Sequence, residues 1–368
     1  MRTRDFTYLM CDFETTVYEG QKNTEVWASA CVELFTEDVI ILHSIEETFD
    51  YFVKLNKNLV CYYHNLKFDG NFWLAYLLRR KDFTLATIKD TPDVELVDYH
   101  FLKDSQMKNN TYNYTISARG QWYCIRIKVN NHLIEIRDSL KLLPFSVKKI
   151  GKDFKTKHQK LEMEYKGLRY AGCEITEAER EYIANDVLVV KEALEILFNE
   201  GHSKLTIGAC CLSEYKSMLG RYDWKLFFPN MEEYNLEKEV FGYENADAYI
   251  RKSYKGGWCY VVPEKTNKVY HEGFTADVNS LYPSMMSSES GNRYPVGTPH
   301  FWSGNFFPDK IEENENIYYF VRIRTRFYLK PNKLPFIQIK DSFFYKGTEC
   351  LETSDIYDKG SGEYYSHY

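Results

Sequence analysis

Asp12 and Glu14 stand two residues apart in YLMCDFETTV (residues 8–17), a run made otherwise of apolar and β-favouring residues. In a strand, positions i and i+2 project from the same face, so the two carboxylates meet on one side of a sheet. They repel there unless a cation sits between them, and a hard divalent ion with a preference for oxygen is the natural neutraliser. Asp69 follows in YYHNLKFDGNFW (62–73), after an apolar run and before a helical one, with Gly70 permitting close backbone approach and His64 and Asn65 offering polar contacts. Tyr182 and Asp186 lie one helical turn apart in TEAEREYIANDVLVVKEALEILF (176–198). Four such acids suffice to hold two metal ions about 4 Å apart, the arrangement that hydrolyses a phosphodiester in line, and the phenol of Tyr182 is placed to orient a water. An isolated D-x-E also describes a strand end that meets solvent, so the reading depends on whether the fold gathers the acids.

The elements that must gather them are legible as strands alternating with helices. Apolar, β-branched runs fall at 7–12, 26–35, 59–63 and 122–136, the last split by Asn130 and Asn131, a hairpin turn signal. NFWLAYLLRRK, after residue 70, has helical spacing. A longer helix runs through 176–198, opened by a capping box between Thr176 and Glu179, with Ile183, Val187, Val190, Leu194 and Leu197 as its core stripe. Tyr182 and Asp186 lie along the edge of that stripe. These patterns predict a mixed sheet with helices packed on it, and NEGHSKLTIG (199–208) marks a domain boundary.

Composition is that of a globular chain: 368 residues, 44% hydrophobic and 27% charged, enough to bury a large core in two or more domains. No apolar run reaches the roughly 18 residues that span a bilayer, and no signal-peptide pattern follows the N-terminus, so a cytoplasmic protein is expected. Nine scattered cysteines, without a C-x-x-C pair, speak against zinc and against a disulfide framework. The net charge of −6 argues against a basic coat, yet VKKIGKDFKTKHQK (147–160) sets Lys148, Lys149, Lys152, Lys155, Lys157 and Lys160 against the single acid Asp153. That stretch suits a phosphate track or a solvated face. Aromatics form 17% of the chain, more than a core requires, so some are expected to stack on bases.

DFET, NLKFDG and YIAND occur in that order, and together they resemble the three 3′–5′ exonuclease motifs of family B DNA polymerases, in an RNase H-like fold. DSLKLLPFSVKKIGKDF (138–154), KLEMEY (160–165) and YKGGW (254–258) are similar to one branch, the protein-primed polymerases of small phages and linear plasmids. GFTADVNSLYPS (273–284) reads as a strand; within it DVNSLYPS (277–284) resembles the first palm motif, and LPFIQIKDSFFYKGTECL (334–351) is the last matching segment, so the likeness runs from about residue 7 to residue 351. The resemblance implies an α/β, RNase H-like exonuclease domain over residues 1–204, an incomplete palm over 205–288, and over 289–368 the start of an insertion that contacts the priming protein. It implies Asp12, Glu14, Asp69 and Asp186 as ligands of two Mg²⁺ or Mn²⁺ ions, Tyr182 as the residue that positions water, and Lys160 as the catalytic lysine. Thr15, Asn65, Phe68, Phe72, Ser139 and Leu140 match positions that bind the single-stranded primer end, with Tyr165 and His64 as further DNA-binding candidates, Phe68 and Phe72 being open to a core reading as well. In the second part, Asp277 matches a polymerase metal ligand and Tyr282 a nucleotide-binding residue, while Tyr254, Gly256 and Gly257 match a linker that meets the template.

Two later motifs of the branch, K-x-x-x-N-S-x-Y-G and Y-x-D-T-D, do not occur. Nucleotide transfer needs a second palm carboxylate and basic residues for the triphosphate. The expectation is therefore the N-terminal part of a protein-primed DNA polymerase with a complete exonuclease, partnered by DNA, by a terminal priming protein and by a C-terminal polymerase fragment. The alternatives are a stand-alone 3′–5′ exonuclease whose palm remnant holds DNA, and a non-catalytic binding remnant, which the intact acids disfavour.

Overall fold

Alternation along the first strand, β1 (Thr7–Thr15), decides the layering. Leu9, Cys11 and Phe13 enter one buried cluster while Met10 enters another on the opposite face. By the same period of two, Asp12 and Glu14 fall on the Met10 face. The structure, a computed structural model, describes residues 5–16, 18–89, 99–163, 168–253, 263–304, 318–320, 355–358 and 363–366. They divide into two units, Met1–Tyr215 and Lys216–Tyr368, where the composition places its boundary near residue 204.

The first unit is built on an eight-stranded mixed sheet. After β1 come β2 (Val26–Glu33), β3 (Val39–Leu42), helix α1 (Ile45–Leu55), β4 (Leu59–Tyr63) and helix α2 (Leu66–Arg79). Short β5 (Thr84–Leu85) is followed by a separate two-stranded ribbon, β6 (Thr87–Lys89) with β7 (Tyr99–Phe101). Next are β8 (Thr111–Ile116), β9 (Trp122–Val129), β10 (His132–Asp138), α3 (Val147–Phe154) and α4 (Glu177–Asn199). The sheet order is β3-β2-β1-β4-β10-β9-β8-β5. Asn130 and Asn131 both take positive φ between β9 and β10, as a two-residue hairpin turn requires.

At the centre, β1, β4 and β10 run parallel, so their carboxyl ends, Thr15, Tyr63 and Asp138, open on one edge of the sheet. In open α/β sheets that edge is where ligands bind. Phe49 and Phe52 of α1 and Trp73 and Leu77 of α2 pack on the Leu9 face, and Ile150 of α3 and Ile183, Val187, Val190 and Leu194 of α4 pack on the Met10 face. The capping box that opens α4 forms as expected: Thr176 Oγ1 accepts from the Glu179 amide, and the Glu179 carboxylate accepts from the Thr176 amide.

Helix α2 begins at Leu66, within the NLKFDG motif, several residues before the expected start after residue 70. Asp69 thus sits in the first turn of the helix, and the cause is an acceptor distant in sequence, Asp138, which engages the amides of Asn65 and Leu66. Gly70 does provide a close approach, to a protein group: a Cβ there would stand 2.7 Å from the ring of Trp122.

In the second unit, α5 (Ile207–Phe227), shared between the units, breaks at Gly220, which has φ 76°. Short helices α6 (Lys238–Phe241), α7 (Ala246–Arg251) and α8 (Leu281–Met286) follow, and β11 (Asp355–Asp358) pairs with β12 (Glu363–Ser366). The expected strand at 273–284 is not one: residues 273–278 are exposed coil, and Tyr282 lies exposed in α8. A strand is stabilised by ladder partners, and among the described residues this segment has none. Tyr254, Gly256, Gly257, Tyr165 and the segment 334–351 lie outside the described residues.

Gly70→Ala tests how tightly α2 is seated on the sheet. We expect a loss of roughly 1–3 kcal/mol in urea unfolding, the cost of overpacking against a buried ring. An unchanged midpoint would show that the Trp122 ring gives way freely.

Candidate active site

Three elements bring the four acids to the site: Asp12 and Glu14 come from the end of β1, Asp69 from the first turn of α2 and Asp186 from the middle of α4. Glu14 is the last β1 residue before the register with β2 shifts at Thr15. Asp12 lies two residues before it, and Asp186 arrives from α4, so that one oxygen from each of the three carboxyls lies within 4.8 Å of the others. Asp69 is not in that set, but it is buried and close. After burial itself, Asp69 is the largest influence on Asp12.

The electrostatics follow first from burial and then from that crowding. The pKa of Asp12 is driven well above the ordinary carboxylate range by burial, then by Asp69, Glu14 and Asp186, with Lys160 opposing. Burial also raises Asp69, to about 8, against the pull of its own backbone amide and that of Phe13. Asp186 is raised by burial, and its bond to Lys160 opposes the rise. Lys160 Nζ donates 2.7 Å to the Tyr182 hydroxyl, pairs with Asp186 Oδ2 and sits 4.4 Å from the centre of the Tyr182 ring. Burial works against the Lys160 charge, but its bonds to Asp186 and Tyr182 outweigh that and raise its pKa. The lysine expected to be catalytic is thus held by the tyrosine and aspartate of the YIAND motif.

This donor set fits divalent metal. All four acids offer oxygen, the ligand that hard cations take. Among the described residues, Asp69 Oδ1 and Asp186 Oδ1 are buried with no hydrogen-bond partner, an expensive state that a bound cation would relieve.

The residues expected to bind a strand divide into an exposed group and a buried one. Phe68 is 49% exposed and packs edge-on against Phe72 at 5.5 Å, so the pair presents one ring and supports it with the other. Asn65 is exposed at the head of α2 in the left-handed region, φ 70°, and Thr15 is half-buried just past the β1 register shift. Ser139 is fully buried, and its hydroxyl donates to the Tyr63 carbonyl. The ring nitrogens of His64 meet Ser139 Oγ at 3.0 Å and the Phe145 carbonyl at 2.7 Å. The polar atoms of Ser139 and His64 are thus engaged within the protein. Leu140 is half-buried, with its amide on Asp138.

Asp138 is the residue that motif reading missed. Its Oδ1 accepts from the amides of Asn65 at 3.1 Å, Leu66 at 3.2 Å and Leu140 at 3.1 Å, tying the end of β10 to the start of α2. The signal was an Asp-Ser pair at the end of a strand, the chemistry of a side chain that caps nearby amides. What it positions is Asp69, one turn further on. In the second unit Asp277 is exposed in coil and Tyr282 is exposed on α8, so neither is built into an enclosed site among the described residues.

The raised carboxyls make a pH prediction. Asp69 has a folded pKa of about 8 against about 3.9 in an unfolded chain, so the native state holds the proton more tightly. Its contribution to stability is full below the unfolded value and is lost as pH rises through the folded one. In chelator, the melting temperature of the parent should therefore fall relative to Asp69→Asn between about pH 4 and pH 8. Parallel melting curves for the two proteins would show that Asp69 is not desolvated.

A model of the family described as DNA polymerase type B, organellar and viral, matches residues 52–173 and 168–359. The DNA polymerase of Bacillus phage Nf is 36% identical over 354 residues, covering 94% of this chain and 54% of the relative. That of Streptococcus phage Cp-1 is 27% identical over 356 residues, 90% of this chain and 53% of the relative. Among solved structures, Phi29 DNA polymerase complexed with primer-template DNA and incoming nucleotide substrates aligns with a TM-score of 0.67 at 31% identity, over 100% of this chain and 56% of that one. The same polymerase complexed with single-stranded DNA aligns at 0.60 and 30% identity, over 84% and 49%. The chain spans about half the length of the curated relatives it matches. With the family model covering most of its residues, the chain belongs to the type B DNA polymerases, organellar and viral.

Proposed function

We propose that this chain carries the 3′–5′ proofreading exonuclease of a protein-primed type B DNA polymerase, acting on the single-stranded end of a DNA primer in replication. The observation that carries the proposal is the convergence of Asp12, Glu14 and Asp186, with Asp69 beside them, at the carboxyl ends of parallel strands. The four acids would hold two divalent ions, Mg²⁺ or Mn²⁺. When bound, such ions activate water and neutralise the departing 3′-oxygen of a phosphodiester. The protein's own groups do the rest. The Tyr182 hydroxyl orients the attacking water, and the Lys160 ammonium steadies the charge that grows on the scissile phosphate. The exposed ring of Phe68 offers a stacking face to the terminal base, with Asn65 and Thr15 as further contacts for the strand.

The exposed lysines of α3 and of the turn after it support the same reading. Lys148, Lys149 and Lys152 are exposed on α3, and Lys155 and Lys157 are exposed in the turn after it. Lys149 also sits over the ring of Phe145, 4.6 Å from its centre, where an exposed cation and an aromatic face serve backbone and base together.

In purified protein with Mg²⁺, Asp12→Ala/Glu14→Ala should abolish degradation of a labelled single-stranded oligonucleotide while the far-UV spectrum is kept. Degradation at the parental rate by the double variant would sink the site assignment.

Nucleotide addition is proposed to need more than these residues. Asp277 would be one palm ligand and Tyr282 would face the incoming nucleotide, but the sequence holds no second palm carboxylate motif to oppose Asp277. A priming protein is the partner proposed for the region 289–368. In primer extension with all four deoxynucleotides, the 368-residue chain alone should add no nucleotide, and a segment supplying the later palm motifs should restore addition. Extension by the chain alone would refute the incomplete palm, and silence with the segment present would favour a stand-alone exonuclease.

A further inference from the structure

Lys160 does not reach its partners from a regular element. It comes at the end of a five-residue turn, 155–159, whose geometry is held by contacts that no motif records. Lys155, at the end of α3, takes the left-handed conformation, φ 52°, and reverses the chain. The Gly151 carbonyl then collects the Thr156 amide at 3.1 Å and Gln159 Nε2 at 3.1 Å, and Gln159 Nε2 also donates to the Thr156 carbonyl at 2.7 Å. Gly151 has no room to spare, since a Cβ there would stand 2.9 Å from Gln159 Oε1. These bonds fix the near side of the turn on α3.

The far side is fixed on α4 by one acid. Glu192 Oε2 accepts from the amides of Lys157 at 2.5 Å and His158 at 3.3 Å, and Glu192 Oε1 meets His158 Nδ1 at 2.5 Å. Both side chains are mostly buried, 13% exposed for Glu192 and 23% for His158. Two residues later Lys160 bonds Tyr182 and Asp186 on the same helix. Two residues of backbone extend about 7 Å at most. Pinning His158 therefore leaves the Lys160 backbone little freedom, and the ammonium is delivered with only its own side-chain torsions to settle.

We propose that Glu192, through His158 and the amides of residues 157 and 158, is a positioning residue for Lys160. Being anchored to α4, the lysine keeps its register with Tyr182 and Asp186 whatever happens at the exposed lysines of α3. The inference rests on the exonuclease reading, in which Lys160 acts on the scissile phosphate.

The test is a double-mutant cycle in the full chain with Mg²⁺ and a labelled single-stranded oligonucleotide, using the parent, Lys160→Ala, Glu192→Ala and the double variant. Glu192→Ala should lower kcat about tenfold or more with KM unchanged, as a displaced catalytic group does. The double variant should be no slower than Lys160→Ala alone, because Glu192 acts through the lysine. Glu192→Gln keeps an acceptor for the two amides, so it should recover much of the rate, and it serves in place of Glu192→Ala should that variant fail to fold. A readout independent of turnover is the labelling of Lys160 by an amine-reactive reagent, followed by mass spectrometry, which should quicken when Glu192 is replaced. Parental kinetics and labelling in both Glu192 variants, or losses that multiply in the double variant, would overturn the positioning role alone. A parent without nuclease activity would instead remove the exonuclease reading and this role with it, and Lys160→Ala at the parental rate would remove the role of Lys160, and with it that of Glu192, while leaving the exonuclease reading in place.

Discussion

Repulsion among carboxylates is the constraint that the first unit is built to withstand. Asp12, Glu14 and Asp186 bring oxygens within 4.8 Å of one another, and Asp69 adds its field from α2. Burial is the largest cause of the raised pKa values of Asp12, Asp69 and Asp186, and neighbouring carboxylates add to it at Asp12 and Asp69. Local preferences alone would let the acids drift apart into water. They stay because each is carried by an element that another part of the fold holds: β1 by two buried layers, α2 by Trp122 and Asp138, and α4 by its apolar stripe.

The same unit uses other acids as fasteners, and the contrast shows which carboxylates belong to the site. Asp138 gives one oxygen to three backbone amides. Glu192 engages both oxygens on the turn before Lys160, and Glu179 closes the capping box while pairing with Arg169. Glu195 holds the Phe35 amide and, with Glu37, flanks the buried Lys191, fastening the β2–β3 turn to α4. These acids are satisfied by protein donors. Asp69 and Asp186 each keep a buried oxygen that no protein donor meets among the described residues. An acid held in that condition is ready for a ligand, whereas a satisfied one is part of the frame.

Helix α4 joins these roles. Along one element it carries Tyr182 and Asp186 at the site, the Ile183 to Leu194 stripe in the core, and Lys191, Glu192 and Glu195 as ties to two turns remote in sequence. A helix seated so firmly can hold the Tyr182 phenol and the Asp186 carboxylate in fixed register. The second unit lacks this kind of enclosure at its own candidate acid: Asp277 lies in exposed coil without ladder partners among the described residues.

What the sequence determined by itself is whatever depends on near neighbours. The period of two set Asp12 and Glu14 on one face, the period of 3.6 placed Tyr182 and Asp186 one turn apart, Asn130 and Asn131 made the hairpin, and Thr176 with Glu179 opened α4. Each is decided within a few residues by sterics and local hydrogen bonds, and a chain records such choices directly. Only the tertiary structure decided where α2 begins, that Ser139 and His64 turn inward, that Gly70 makes room for an indole, and that Glu192 governs the approach of Lys160. In every one of these the partner lies about 35 to 75 residues away along the chain. The strand expected around Asp277 failed for the same reason: a β-ladder is a property of two segments, and its sequence pattern describes only one of them.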